Sequence, residues 1–576
     1  MKRCPQCGRD YNDDSLSFCL DDGSELLFGP SSSDEPATAI LSEPPASAGN
    51  PFSESATRAQ IHTTASEGEG PGSLGNSPGK QRTSANRTIK PLAILIAAVL
   101  VIAAVFFGYR YFSSPALRQI ESIAVMPFVN ESGNSDAEYL SDGMTESLIN
   151  SLSRLPKLAV KARSSVFHYK GKDMLPQQIG DELNVQAVLS GRVIQRSSDL
   201  TLYLSLIDAR TGNQIWGEQY NRKHADLVSL QSEIARDVSQ MLRVHLSGAE
   251  EQKLAKNYTK NAEAYQEFLK GRYFSGKSTE DGLKKSVEHF QRAIELDPNY
   301  ALAYAGLANA YWYASDLQFA PRDVMPKAKA AALKAIEIDE SLAEAHAGLG
   351  IFKTAYDWDW TGAEKDFRRA IELNPDDSTP HQFYGWYLAL MGRHDESFAE
   401  MNRAQQSDPL SLNVNAGSGR ALYWARRYND AQRQLQKTLE LDPNFWLTRT
   451  YLSEVYLEMG KYTEALAEIL KARQIEENHY VLARLGLVYA RMGRRGDALQ
   501  VISELKELSK RSYVSAHSIA VIYAGLGERD AAFEWLEKAF DERAESIGWL
   551  KVDPRIDSLR DDARYKDLLK RMSFPE

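Results

Sequence analysis

From residue 261 onward the apolar positions follow helix faces, and the helices come in pairs. Between Phe445 and Asn478, Leu452, Val455 and Tyr456 share one face at i, i+3 and i+4, and Ala465, Ile469 and Ala472 share one face of a second segment. Gly460 lies between the two, where a residue that tolerates positive φ costs least. The unit recurs about every 34 residues. Its small-residue column reads Ser286, Ala328, Ala363, Ser397, Ala431, Ala465, Ala498 and Ala532, and a larger side chain there would overpack the helix pair. A second column, Pro298, Glu340, Pro375, Pro409, Pro443 and Glu477, closes the units. The residue before proline is pushed out of the α region, and proline suits the first turn of the next helix. Tyr311, Tyr456, Tyr489 and Tyr523 form a third column in the first helix of the pair.

A period near 34 with helical patterning on both sides of a short turn identifies tetratricopeptide repeats. Eight units are predicted, at 261–298, 299–340, 341–375, 376–409, 410–443, 444–477, 478–511 and 512–545. The second is longer, with its excess expected in a loop from Asp316 to Pro326. Residues 546–576 break the period, and Trp549, Leu550, Val552, Leu559, Tyr565, Leu568 and Leu569 among many charges suit the cap that a solenoid end needs. Stacked repeats curve, with the first helix of each pair on the concave side. Placing Ala308, Gly350, Gly385, Gly419, Ser453 and Gly486 at one packing position turns Asn309, Trp312, Ile351, Trp386, Arg420, Tyr423, Glu454 and Leu487 toward the groove. The candidate partner-binding residues are Asn309, Trp312, Trp386, Arg420, Tyr423 and Glu454, a mixed polar and aromatic set suited to a protein or peptide. The alternative is that Trp312 and Trp386 pack between neighbouring helices. Trp358 and Trp360 beside Asp357 and Asp359 admit sugar binding, but turn aromatics in a solenoid are more often packing.

Residues 119–248 change period. A short apolar strand at Ser122–Phe128 ends in a proline context, a helix covers 139–155, and a strand at 158–161 and a helix at 176–183 follow. Alternating strands at 187–196, 200–208 and 214–220 precede a helix at about 226–246. Ile123, Val125, Val188, Leu189, Leu202, Leu204 and Leu206 are the expected core. The stretch resembles the TolB amino-terminal-like domain, through Ile123–Phe128, Tyr139–Glu146, Arg163–Phe167, Tyr169–Lys172, Gly191–Val193, Leu206–Asp208, Thr211-Gly212 and Trp216. That resemblance implies a module that precedes repeats and serves different outputs, and it implies no reaction.

Pro91 to Tyr109 carries no charge. Its nineteen residues, at about 1.5 Å each, reach roughly 28 Å, close to a bilayer's hydrocarbon thickness. Arg110, Tyr111 and Phe112 then form an interfacial edge with an aromatic belt, so 91–112 is predicted as one transmembrane helix. Lys80, Arg82, Arg87 and Lys90 precede it, against Arg110 and Arg118 after it. This predicts a cytoplasmic N-terminus and repeats outside the inner membrane, in the periplasm of a Gram-negative cell. Residues 29–90, rich in Ser, Gly, Pro, Ala and Thr, read as a disordered linker.

The only metal-ligand pattern lies in residues 1–28. Cys4-Pro5-Gln6-Cys7-Gly8 places two thiolates on a tight turn, and Cys19-Leu20-Asp21-Asp22-Gly23 repeats the spacing with Asp22 in place of a fourth cysteine. Zinc accepts carboxylate oxygen, so one structural zinc on Cys4, Cys7, Cys19 and Asp22 is expected, with water, Asp21 or another chain as alternative fourth ligand. The segment resembles short bacterial zinc ribbons. Its acidic balance, and the net charge of −10 over 576 residues, disfavour nucleic acid. No His-Glu-x-x-His pair or kinase signature occurs, so neither enzyme activity nor a small-molecule substrate is expected. The sequence therefore predicts a multidomain, mainly α protein: a repeat solenoid with a small mixed α/β domain, one transmembrane helix and a zinc ribbon. Its expected role is a membrane-anchored interaction scaffold, or alternatively a transmembrane regulator with the ribbon as output.

Overall fold

The computed structural model describes residues 120–242 and 258–575, apart from 135–136, 156–157, 197, 278 and 316–318, together with residue 248 and three two-residue strands near the N-terminus. The chain divides into two units, Met1–Val101 and Ile102–Glu576. In the first, β1 (Lys2–Arg3) lies between β2 (Asp10–Tyr11) and β3 (Leu27–Phe28), antiparallel to both. The expected zinc ligands, the linker and the apolar segment 91–112 lie outside the described residues. Among the described residues no helix is long and apolar enough to cross a membrane, and no cluster of His, Cys, Asp or Glu could hold a metal ion.

The second unit opens with the mixed α/β module. Its elements are β4 (Ser122–Val125), β5 (Val129–Asn130), α1 (Glu138–Leu152), β6 (Ala159–Val160), α2 (Arg163–Phe167), α3 (Pro176–Leu183), β7 (Ala187–Arg196), β8 (Asp199–Asp208), β9 (Gln214–Lys223) and α4 (Leu227–Met241). The sheet order is β6-β4-β7-β8-β9, with β5 added on β7. β4 runs parallel to β6 and β7, whereas β7, β8 and β9 form an antiparallel meander. Every expected core residue named above is buried. The strand expected at 122–128 is split, because Pro127 has no amide to donate and the ladder resumes only at Val129. The five-residue helix α2 was not anticipated: it is too short to establish a period.

Eight helix pairs follow among the described residues: α5 (Ala262–Ser275) with α6 (Glu280–Leu296), α7 (Ala301–Ala314) with α8 (Pro321–Ile338), α9 (Ala343–Phe352) with α10 (Trp360–Leu373), and α11 (Ser378–Leu390) with α12 (His394–Ser407). Then come α13 (Leu412–Trp424) with α14 (Tyr428–Leu441), α15 (Trp446–Glu458) with α16 (Tyr462–Ile475), α17 (His479–Arg491) with α18 (Arg495–Leu508), and α19 (Ala516–Gly525) with α20 (Arg529–Glu542). They form a mainly helical repeat solenoid. Gly460 has φ +73, as do its counterparts Gly392 and Gly493 within a few degrees.

The column from Gly350 to Gly486 is a close-approach position. A Cβ added at Gly350, Gly385, Gly419 or Gly486 would sit 2.6–2.7 Å from Phe367, Met401, Leu435 or Ile522. At the equivalent place Ser453 donates its hydroxyl to the Ala465 carbonyl, 2.7 Å away, tying first helix to second.

The long second unit differs from expectation. The helix begins at Pro321, so the loop does not run to Pro326. Pro321 starts the helix without losing a bond that helix could make, and Pro326 removes only one amide from its second turn. In the third repeat, α9 continues as a π turn over Lys353–Asp357, and Trp358 turns left-handed at φ 61 before α10.

The α/β module packs on the first repeat through α1 and α5. A Cβ on Gly143 would lie 2.9 Å from Leu269, so the two helices touch at the backbone of α1. The Tyr265 hydroxyl donates to Ser147 at 3.1 Å. Glu146 pairs with Arg163 at 3.2 Å and with Arg272. Burial pushes the Glu146 carboxyl up, but the two guanidinium groups outweigh it and hold it below the ordinary carboxylate value.

Beyond α20 the chain makes two 3-10 turns, Glu545–Trp549 and Pro554–Leu559, and a last helix, α21 (Ala563–Arg571). α21 lies along α20, where Arg571 reaches Glu537 and Arg564 reaches Asp530. The turns go elsewhere, onto the first helices of earlier repeats.

Candidate functional site

The first helices of the repeats line one face, and this face has two stretches with different fates. The stretch on repeats two to four carries Trp312, Tyr313 and Phe383. Trp312 of α7 meets Phe383 of α11 edge to face at 5.1 Å. The intervening helix α9 allows this, because Ala345, Ala347, Gly348 and Gly350 leave little bulk on it. Tyr313 is 48% exposed. Asn309 donates to Glu344 at 2.8 Å, and Glu344 also accepts from Arg272 at 2.8 Å. The arrangement is an aromatic shelf with Glu344, held by Asn309 and Arg272, at its rim.

The stretch on repeats four to seven is covered by the chain's own C-terminal segment. Trp549 stacks on Trp424 at 4.8 Å and meets Trp386 edge-on at 5.9 Å. The Trp386 indole donates to the Gly417 carbonyl at 3.0 Å. Arg420 pairs with Glu454 and lies over the rings of Tyr423 and Tyr451, at 4.9 and 4.8 Å. Glu454 also accepts from Arg484 at 3.1 Å and from Arg555 of the C-terminal segment at 3.0 Å. Arg555 in turn pairs with Asp553 at 2.7 Å.

All five of these charged side chains are buried. Burial raises the Glu454 carboxyl, yet Arg420, Arg555 and Arg484 together bring it below its ordinary value. His517, 3.6 Å from Asp553, is pushed down to about 3 by burial and by Arg555. Arg426 adopts the left-handed φ of 62 that glycine takes in neighbouring repeats, and it meets Asp557 of the segment at 2.8 Å.

The segment is fastened further along as well. The Trp360 indole donates to the Met572 carbonyl at 3.0 Å and stacks on Phe574 at 4.4 Å. Arg543 covers the Trp358 ring at 3.7 Å. Both turn tryptophans are thus buried in packing.

Of the residues expected to face a partner, Asn309 and Trp312 lie on the uncovered stretch. Trp386, Arg420, Tyr423 and Glu454 lie together, but the C-terminal segment already occupies their surroundings. Repeat periodicity gave their facing and could not give the destination of the tail. Sequence reasoning missed Tyr313, Glu458, Arg484, Asp553 and Arg555. Asp553-Pro554 copies the Asp-Pro dipeptides that end repeat helices at Asp297-Pro298, Asp408-Pro409 and Asp442-Pro443, so it reads as one more junction rather than a groove contact.

Family comparisons match the α/β module and the repeats separately. The family described as HilA/YgeH-like transcriptional regulator, second domain, matches residues 118–237. That description differs from the TolB amino-terminal-like resemblance read from the sequence. Tetratricopeptide repeat families match residues 283–313, 417–480 and 514–553. "Putative adenylate cyclase 3" of Rhizobium meliloti is 32% identical over 239 residues, 41% of this chain and 41% of that protein. Transcriptional regulator HilA of Salmonella typhimurium is 23% identical over 334 residues, 56% of this chain and 58% of its own. The chain therefore spans about half the length of these two relatives. Among solved structures, yeast Tom70 aligns at 14% identity over 61% of this chain and 83% of its own, with a TM-score of 0.36. Matched by these families and built as eight helix pairs, the C-terminal half of the chain is an array of tetratricopeptide repeats.

Proposed function

We propose that this protein is a membrane-anchored scaffold whose repeats hold a protein or peptide partner on the uncovered stretch of the concave face. The observation that carries this reading is the shelf of Trp312, Tyr313 and Phe383, aromatic, partly exposed and rimmed by Glu344. Exposed aromatic anchors beside polar groups are what interfaces are built from. The exposed Tyr313 ring beside Trp312 and Phe383 favours a partner that brings an apolar or aromatic side chain. The charge-free segment 91–109 supports the anchor, and the flanking basic residues support an external array.

The test is affinity capture from native membranes with the full-length protein. Tyr313→Ala combined with Phe383→Ala should lower partner recovery at least tenfold while the circular dichroism spectrum stays unchanged. Undiminished recovery would refute the shelf, and recovery of the protein in the carbonate-soluble fraction would refute the anchor.

A second reading, a transmembrane regulator whose N-terminal metal knuckle is the output, is favoured by one observation. The α/β module matches a domain of transcriptional regulators, and the alignment with HilA continues into the repeats. In either reading Cys4, Cys7, Cys19 and Asp22 hold one structural zinc, which would supply the folding energy of a segment too short to bury a core. Purified full-length protein should carry one zinc per chain, and the triple Cys→Ala variant none. A wild-type protein that stays metal-free after zinc loading refutes the ribbon.

A further inference from the structure

The covered stretch combines a specific fit with a poor one. Trp549 and Arg555 enter ready-made places, one against Trp424 and Trp386, the other against Glu454. Around them, four buried polar atoms make no hydrogen bond: Tyr423 OH, Trp424 Nε1, Glu458 Oε1 and His517 Nε2. His517 Nε2 stands 3.6 Å from Asp553, beyond hydrogen-bond reach, and the other three gave up water without gaining a partner, which weakens the closed arrangement relative to a better-matched occupant. Charge is mismatched at the same place. Glu458 faces Asp553 and Asp557 of the segment, with Arg491 at 3.4 Å and Arg426 as its cationic neighbours. The segment itself is held in two short 3-10 turns, without a regular helix until Ala563.

We propose that the concave face of repeats four to seven is a second peptide site, held in the free protein by residues 549–557. It exchanges that segment for an external peptide of the same chemistry: a tryptophan, and six residues later an arginine preceded at two residues by a carboxylate. The tryptophan takes the Trp424–Trp386 corner and the arginine takes Glu454. This inference rests on reading the repeats as a peptide-binding array and adds to it what the second site selects.

The probe is a labelled peptide of residues 545–561 added to the full-length protein and followed by fluorescence anisotropy. The tethered segment competes at an effective concentration on the order of millimolar. Arg555→Ala protein, whose own segment has lost its ion pairs, should therefore bind the peptide at least ten times more tightly than wild type. A peptide carrying Trp549→Ala and Arg555→Ala should bind neither. If Arg555→Ala protein fails to fold by circular dichroism, Trp549→Ala protein takes its place. Hydrogen exchange on the wild-type chain gives an independent reading: amides of 549–557 should exchange at least tenfold faster than those of α15 and α17. Equal affinity of wild type and variant, no binding by either, or equal protection of segment and helices would overturn the exchange. Partner capture through Tyr313 and Phe383 persisting alongside such a result would refute this site alone and leave the scaffold reading standing.

Discussion

Glu454→Gln should lower the unfolding free energy of the second unit by about 3–5 kcal/mol, the range for removing one partner of a buried ion network. The substitution preserves shape and keeps two polar atoms, so packing is not its target. It removes the one carboxylate shared by Arg420, Arg484 and Arg555; Arg555 keeps its pair with Asp553, while Arg420 and Arg484 lose theirs. Urea unfolding followed by Trp fluorescence measures the loss, and Trp549 on Trp424 reports whether the segment leaves first. Arg426→Ala is the control, because its pair with Asp557 is more than a third exposed on both sides and such pairs contribute about 0–1 kcal/mol. Equal losses from the two variants would contradict the network as described.

The part of the stability contributed by Glu458 should also fall as pH rises from about 5 to 8. Burial pushes its carboxyl from 4.5 up to about 7, with Asp553 and Asp557 adding to the rise and Arg491 and Arg426 opposing it. The folded protein therefore keeps a proton that the unfolded chain releases. Its contribution is fully present below the unfolded value near 4.5 and is lost as pH rises through the folded value near 7. Each tenfold change in proton affinity is worth about 1.4 kcal/mol, so the loss comes to about 3 kcal/mol. The side chain is 11% exposed, so solvent screens little of it. Unfolding free energies at pH 5 and pH 8 should differ by this amount more in wild type than in Glu458→Gln. Parallel profiles for the two proteins would rule out Glu458 as the source.

The legible parts of this chain are those governed by local spacing. Ala465, Ile469 and Ala472 on one helix face, Gly460 at the turn and the packing column at Gly350, Gly385, Gly419 and Gly486 follow from periodicity, and the folded chain places them accordingly. Alternation along β8 likewise predicted Leu202, Leu204 and Leu206 on the buried face. What escaped depends on contacts far apart in sequence. Arg555 meets Glu454 across 101 positions and Trp360 meets Met572 across 212, and no helix period reports such a meeting. Tyr313 escaped for a different reason: it directly follows Trp312 in α7, and the expected groove positions are only the residue after the packing column and the one a turn later.

The turn between the fourth and fifth repeats brings a further long-range contact. Asp408 accepts hydrogen bonds from Ser164 and Ser165 of the α/β module, and the Leu410 amide donates to Ser165 at 3.0 Å. Together with the tail on Trp360, this changes how the molecule can be made. An ordinary solenoid zips repeat by repeat as it leaves the ribosome. Here the module closes on the fourth repeat early in synthesis, but Trp360 waits 212 residues for Met572. At 5–20 residues per second the interval is on the order of 10–40 s. Through it the nascent chain displays Trp360, Trp386 and Trp424 uncovered. That window is where a chaperone would engage the growing chain, and a stop codon before residue 549 would make the exposure permanent.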